Sequence, residues 1–159
     1  MHDRRLIACL NMYFERLFTY HEQPRSMQNY ILRIAKDEWE KQVFALKAYY
    51  AGVRREWEKD SSIFLIKKTD SGDAFVGYGI IKSVTSLEDL DDKEKDMCIN
   101  NNWNKKLSFG KLVRFEPPVP LKDTVVSKWG QKGALLHGAP ISQSDMELIT
   151  KIAKTKIML

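Results

Sequence analysis

Cysteine is scarce in this sequence, with only Cys9 and Cys98 among 159 residues. Two cysteines are too few for a disulfide-stabilised scaffold and fit a reducing compartment, so we expect a cytoplasmic protein. Proline and glycine are also few, at five and eight residues, which excludes a collagen-like or low-complexity disordered chain. No apolar run approaches the ~20 residues that a membrane-spanning helix needs. The three histidines are too far apart for a zinc motif, and we expect neither a metal nor another cofactor.

Positive charge is concentrated in one segment of the chain. The whole sequence has 26 Lys+Arg against 21 Asp+Glu, a formal net charge of +5. Residues 100–132 contain seven cations and two anions, which is +5 within that segment alone, whereas residues 87–99 contain six anions and two cations. The basic segment also contains four large aromatic residues, Trp103, Phe109, Phe115 and Trp129. Cations bind phosphates and rings stack on unpaired bases, so the segment suits a nucleic-acid partner. A lysine-rich solvated face over core aromatics is nevertheless the simpler explanation of the composition taken alone.

Local patterns predict a mixture of helices and strands. Apolar residues at helical spacing predict a helix within residues 1–25. A second helical pattern runs over residues 37–57, with Gly52 as a position where it can end early. A last helix is predicted to begin after Ser142, whose hydroxyl suits an N-cap. Four β-prone segments lie at residues 29–34, 62–67, 74–84 and 111–116.

This order of elements predicts an α+β fold. Strands adjacent in sequence, interleaved with helices, favour a small mixed β-barrel with helices at its side. The turn residues 70–73 predict that the second and third of the four strands form a hairpin. We expect one domain over residues 28–157, preceded by an N-terminal helical extension over residues 1–25.

Two tryptophans are candidates for a binding site. Trp103 lies in a run of asparagines without apolar periodicity, which is unusual for a core residue, and the amides around it offer donors and acceptors to the edge of a base. Trp57 falls on the helical pattern and is therefore explained by packing. Its neighbour Arg54 nevertheless leaves open that an indole and a guanidinium lie together at the rim of a pocket.

Several stretches resemble the PUA-like superfamily, in particular its EVE, YTH and related ASCH branches. The segment 74–84, AFVGYGIIKSV, is similar to the glycine-containing central strand of these domains. The segments 102–107, NWNKKL, and 111–115, KLVRF, are similar to their tryptophan-containing loop and the strand that follows. The segment 119–123, VPLKD, resembles their turn after that strand, and HGAPIS at 137–142 leads into a final helix as in EVE-type proteins.

The resemblance implies a β-barrel with a pocket that accepts one flipped, often modified, nucleobase between aromatic rings. Trp103 would form one wall, and the second wall would fall between Val53 and Trp57. Tyr78 and Ser83 would lie on the strand beneath the pocket. The base would thus be bound by Trp103, Trp57, Tyr78, Ser83 and Asn102, and the phosphates by Lys105, Lys106, Lys111, Arg114 and Arg54.

On this basis we expect a nucleic-acid-binding reader domain, for RNA or DNA, that performs no catalysis and does not associate with membranes. Two alternatives remain open. Some ASCH-type proteins are nucleoside amidohydrolases that use lysine, threonine and glutamate, and here Lys67, Lys82, Thr85 and Glu116 are available. Residues 3–20 are apolar enough to suit a protein partner or self-association.

Overall fold

The computed structural model describes residues 27–131 and 133–158, and the predicted N-terminal extension lies outside them. Within these residues the chain forms seven strands and four α-helices. The strands are β1 (Asn29–Ile34), β2 (Ala48–Ala51), β3 (Ser62–Thr69), β4 (Gly72–Ser86), β5 (Lys105–Pro120), β6 (Pro140–Ile141) and β7 (Thr155–Met158). The helices are α1 (Asp37–Leu46), α2 (Asp92–Asn100), α3 (Gly133–Leu136) and α4 (Gln143–Ile152). No helix in this part of the chain is long and apolar enough to cross a membrane.

All the strands belong to one sheet. Its order is β2-β5-β4-β3-β1-β6, with β7 also paired to β5. The β1–β3 pair is parallel and the other pairs are antiparallel. Register shifts interrupt the long β4–β5 pair, and such bulges bend a sheet. The predicted α+β class is confirmed, and so is the hairpin, which β3 and β4 form.

Backbone pairing does not close the described sheet into the barrel that the sequence predicted. The path of paired strands ends at β2 on one side and at β6 on the other. Strands β1 and β2, which helix α1 connects, do not form a ladder with each other. We call the unpaired boundary between them the seam. A side chain spans part of this seam, because the Tyr49 hydroxyl on β2 donates to the carbonyl oxygen of Arg33 on β1 at 2.7 Å.

Two hydrophobic cores occupy the two faces of the sheet. The first core includes Leu32, Leu65 and Leu107, and the second includes Ile31 and Phe64. Successive side chains of a strand point to opposite faces, so neighbouring residues of β1 and β3 enter different cores. Burial on both faces explains why these strands are almost continuously apolar.

The helical pattern predicted over residues 37–57 is wrong beyond Leu46. Lys47 adopts a left-handed conformation, with φ of 52°, and terminates α1. The next four residues pair with β5 as strand β2, and all four are buried. Pairing with β5 therefore overrides the helical spacing of the apolar residues. The final helix agrees with its prediction, because the Ser142 hydroxyl accepts the N–H of Asp145 at 3.1 Å.

Candidate functional site

A cavity of about 260 Å³ opens at the seam between β1 and β2. The end of β1, helix α1, strand β2, helix α3 and the loop after α2 all contribute to its walls. Its volume lies just below the range of about 300–1,000 Å³ that accommodates drug-sized ligands. A planar group of one or two rings is therefore a better match to this space than a longer ligand.

Three aromatic rings from three different elements form much of the wall. Trp103, on the loop after α2, lies nearly parallel to Tyr50 of β2, with 5.7 Å between ring centroids and an interplanar angle of 14°. It meets Trp39 of α1 edge to face, at 4.9 Å and 71°. Both are favourable aromatic geometries, so each ring helps to fix the orientation of the others. All three rings line the cavity.

The loop that carries Trp103 is held by its backbone. The N–H of Trp103 donates to the carbonyl oxygen of Cys98 at 2.8 Å, and the N–H of Asn104 donates to that of Ala51 at 2.9 Å. Asn102 adopts a left-handed conformation, with φ of 59°, which asparagine tolerates better than most residues. A Cβ on Gly52 would lie only 2.7 Å from the Asn102 carbonyl oxygen, so the loop depends on a glycine there. Part of the asparagine run thus serves the turn itself.

A charged network of Glu94 and Lys106 fixes the Tyr50 hydroxyl. This hydroxyl donates to Oε2 of Glu94 at 2.6 Å, and Lys106 Nζ lies 2.7 Å from the same oxygen. The hydrogen bonds from Lys106 and Tyr50 hold the pKa of the Glu94 carboxyl below its usual range. Burial, together with the Glu94 charge, raises the pKa of the Tyr50 hydroxyl, which therefore stays protonated and keeps donating.

Polar groups line the opposite side of the cavity. The backbone N–H of Arg33 donates to Nδ1 of His137 at 2.9 Å. A neutral imidazole with Nδ1 as acceptor carries its proton on Nε2, which leaves an N–H donor for a ligand. Burial and the Arg33 charge lower the pKa of His137 and favour this neutral form. Gln42 also lines the cavity, and Lys36 Nζ lies 4.8 Å from the Trp39 ring centroid, a cation–π distance.

Of the base-binding residues predicted from the sequence, Trp103 lies in the cavity wall and the others lie elsewhere. Trp57 is only 8% exposed and packs in the first core, edge to face with Tyr30. Tyr78 faces the second core, stacked on Phe64 at 5.0 Å, and is therefore on the opposite side of the sheet from the first core. The structure does not bring Trp57 or Tyr78 to Trp103.

The two polar residues predicted to contact the base do not line the cavity either. Ser83 is exposed on β4, opposite Ser108 of β5. Asn102 is also exposed, and its conformation shapes the turn before Trp103. Neither side chain is among those that line the cavity.

Two of the predicted phosphate-binding lysines lie near the aromatic rings. Lys106 approaches the Tyr50 ring, with Nζ 5.8 Å from its centroid, while its charge is paired with Glu94. Lys105 donates to the hydroxyl of Ser86 at 2.9 Å. The acidic segment that precedes the basic one in sequence thus lies against it in space and neutralises part of its charge.

The other predicted phosphate-binding residues are dispersed. Lys111 Nζ lies 5.9 Å from the centroid of the Tyr78 ring, on the second-core side. The guanidinium of Arg114 lies 4.0 Å from the Phe44 ring centroid, with Nε buried. Arg54 is exposed in the loop between β2 and β3. The predicted cations do not form one continuous patch.

The residues available for a hydrolase are also separated. Lys67 on β3 is paired with two carboxylates in the first turn of α1, which raise its pKa and favour its charged form. Lys67 lies opposite Ala74 of β4, and Lys82 lies eight residues further along that strand. At ~3.3 Å per residue, this corresponds to a distance of about 26 Å along the strand. Thr85 lies further still, and Glu116 is exposed on β5. Among the described residues, no group of three or more His, Cys, Asp or Glu side chains is placed to hold a metal ion.

Sequence reasoning missed Trp39, Tyr50 and His137 as cavity residues. The first two lie on the helical pattern predicted over residues 37–57, which the start of β2 interrupts. The run Ala48-Tyr49-Tyr50-Ala51 contains two aromatic residues of high strand propensity, and that signal favours a strand there. His137 has no comparable local signal, because its role depends on contact with Arg33, 104 residues away.

Comparison with known proteins identifies the fold. No model of a known protein family matches the sequence, and no curated protein matches it. The crystal structure of ASCH from Zymomonas mobilis matches with a TM-score of 0.54 at 9% identity, covering 82% of this chain and 98% of that one. A tyrosine-to-phenylalanine mutant of that protein matches with a TM-score of 0.55 at 7% identity, covering 82% and 100%. The chain thus has a mixed α+β fold similar to that of ASCH from Zymomonas mobilis.

Proposed function

We propose that this protein binds single-stranded nucleic acid in the cytoplasm and holds one unstacked base against the rings of Trp39, Tyr50 and Trp103, without catalysing a reaction on it. The observation that carries this proposal is the convergence of three rings on one cavity of about 260 Å³. A cavity of this size and shape suits one planar base.

The energetics of base capture are compatible with this cavity. Taking a base out of a stack costs a few kcal/mol, and stacking on an aromatic side chain returns about 1–3 kcal/mol per base. Trp103 and Tyr50 are already aligned in the protein, so little further ordering opposes binding. A methyl group on the base would add roughly 0.8 kcal/mol if it were buried among the rings, which favours a modified base over its unmodified form.

The polar surroundings suit a neutral base attached to an anionic backbone. Neutral His137 presents an N–H donor to an acceptor on the base or sugar. Lys36 places positive charge beside Trp39, with the exposed Glu38 carboxylate 3.9 Å away, whereas the charge of Lys106 beside Tyr50 is paired with Glu94. Cations next to a stacking platform are the combination that single-strand-binding proteins use.

Replacing Trp103 tests the proposal directly. We expect Trp103→Ala to bind short single-stranded oligonucleotides and free nucleosides about 5- to 150-fold more weakly, the equivalent of one lost stacking interaction. Trp103→Phe keeps a ring and should retain much of the affinity. Binding is measured by calorimetry well below the melting temperature of every variant, because Trp103 also packs beside Leu90 and Cys98 and its loss will lower stability.

Trp57→Phe is the matched control, since this tryptophan lies in the first core and does not line the cavity. It should leave the affinity unchanged whatever its effect on the melting temperature. Affinity should also decrease with added salt, with a slope of about −0.7 per phosphate contacted. An unchanged affinity in Trp103→Ala, together with a lower melting temperature, would show that Trp103 is only a packing residue.

A further inference from the structure

A second cavity, of about 480 Å³, lies next to the aromatic one, and His137 belongs to the walls of both. Helix α3 lies between the two cavities, with Ala134 on the first and Leu135 on the second. Arg55 and Trp129 also line the second cavity. None of the residues that the sequence predicted to bind base or phosphate lies there.

The wall that separates the two cavities is fixed to β1. The N–H of Gly138 donates to the carbonyl oxygen of Ile31 at 2.7 Å, and the N–H of Ile31 donates to that of Ala139 at 2.8 Å. The N–H of Arg33 holds the His137 ring through Nδ1. These three bonds fix both the backbone and the imidazole, so groups bound in the two cavities would be kept at a constant separation.

Arg55 is suited to bind an anion in this second cavity. Its guanidinium lies 4.6 Å from the ring centroid of Tyr30, a cation–π contact that orients it. Within the part of the chain that the structure describes, no carboxylate forms an ion pair with it. The backbone of Gly138, whose φ of +82° favours glycine, lies beside it, since a Cβ there would be in ordinary contact with Arg55 Nε at 3.8 Å. The five N–H donors of a guanidinium match the geometry of a phosphate.

Trp129 supplies an aromatic surface in the same cavity. It is partly buried against the second core and lines the cavity from the side of the turn before α3. A cavity that combines an indole with a guanidinium offers both contacts that a nucleotide needs, one for its base and one for its phosphate. Its volume, nearly twice that of the aromatic cavity, leaves room for the sugar.

We propose that the second cavity binds the nucleotide adjacent to the base held by Trp39, Tyr50 and Trp103, so that the protein recognises a dinucleotide step. Arg55 binds the phosphate that joins the two nucleotides, Trp129 stacks on the second base, and the Nε2–H of His137 donates to the strand as it passes between the cavities. The proposal rests on the proposed function and adds that the nucleic-acid strand continues from the aromatic cavity into the second one.

The test compares probes of increasing length on the full chain: adenosine, adenosine 3′-monophosphate and the dinucleotide ApA, with the corresponding cytidine, guanosine and uridine series. Wild type should bind the dinucleotide about 5- to 150-fold more tightly than the nucleoside. Trp129→Ala should abolish most of this gain and leave nucleoside affinity unchanged, while Trp129→Phe should preserve it. Arg55→Gln should reduce the salt slope of dinucleotide binding by about 0.7.

Lys59→Gln is the charge control, because Lys59 is exposed in the same loop as Arg55 and lines neither cavity. It should leave the affinity for the dinucleotide unchanged. A nucleoside that binds as tightly as the dinucleotide would overturn the second site and leave the first intact. Equal weakening of nucleoside and dinucleotide by Trp129→Ala would also overturn it, since the residue would then act only through the fold. If wild type binds none of the probes, the proposed function fails together with this inference.

Discussion

Replacing Gly52 with alanine is expected to displace the loop that carries Trp103. The new Cβ would lie 2.7 Å from the carbonyl oxygen of Asn102 and 3.5 Å from Cδ1 of Trp103. The closer of these atoms belongs to the backbone, so no rotation of a side chain relieves the contact. The loop is also tied at Trp103 and Asn104 by hydrogen bonds of 2.8 and 2.9 Å. The chain must therefore weaken these bonds or shift β2.

The size of the effect follows from two opposing contributions. Overpacking at a closely packed position costs about 1–3 kcal/mol. Alanine also restricts the unfolded chain relative to glycine, which stabilises the protein by about 0.4–1 kcal/mol. Taken at the middle of each range, the two contributions give an expected loss in the free energy of unfolding of about 1.3 kcal/mol. For a chain of this length each kcal/mol lowers the melting temperature by about 2–4 °C.

Gly110→Ala is the matched control. At that position the nearest atom to a new Cβ is Cβ of Lys82, at 3.3 Å, and both residues are exposed. The neighbouring strand needs to shift by only a few tenths of an ångström there, much less than at Gly52, so the melting temperature should fall by less than in Gly52→Ala. Thermal unfolding by circular dichroism measures both variants, and nucleoside titration then shows whether the displaced Trp103 loop also weakens binding. If Gly52→Ala melts like Gly110→Ala and binds normally, the close approach of residues 52 and 102 is not a feature of the protein.

Two further predictions concern titratable groups. Because the pKa of Glu94 is lowered on folding, its contribution to stability is complete above its ordinary value of 4.5 and is lost as the pH falls through the folded pKa. Chemical denaturation should therefore show that Glu94→Gln is less stable than wild type at neutral pH. The difference should be no more than about 1 kcal/mol, because the pair with Lys106 is partly exposed, and it should shrink below pH 4.5. His137 should titrate below its ordinary value of 6.5 in an NMR experiment, with its resonance assigned through His137→Asn. A pKa at or above 6.5 would contradict the neutral ring that accepts the Arg33 N–H.

The fold was predictable where local signals agreed with tertiary pairing. The turn at residues 70–73 joins two β-prone runs, and the hairpin forms there because nothing competes with it. The Ser142 cap has the same local character. Residues 48–51 carry helical spacing but pair with β5 instead, and that pairing partner lies more than 50 residues away. Sequence periodicity does not reveal which of the two structures is the more stable.

The site was predictable at Trp103 and not at its neighbours. An indole among asparagines stands out in the sequence, because no packing pattern explains it. The register of β4 determines which face of the sheet carries Tyr78. Shifts at Phe75/Gly77 and Ile80/Ile81 interrupt that register. Each shift of one residue exchanges the two faces of a strand. A single misplaced bulge is therefore enough to assign Tyr78 to the wrong side of the sheet.

The aromatic cavity exists because side chains, and not another strand, satisfy the edge of β1 at Arg33. Ile31 and Arg33 both turn their N–H and C=O groups away from β3. Both backbone groups of Ile31 pair with backbone groups at residues 138 and 139, as they would in an ordinary ladder. At Arg33 the N–H donates to the ring of His137 and the carbonyl oxygen accepts the hydroxyl of Tyr49. Side chains reach further than a paired backbone, so β2 remains apart from β1 and space opens between them. The seam that keeps the sheet from closing into a barrel is thus the feature that creates the candidate site.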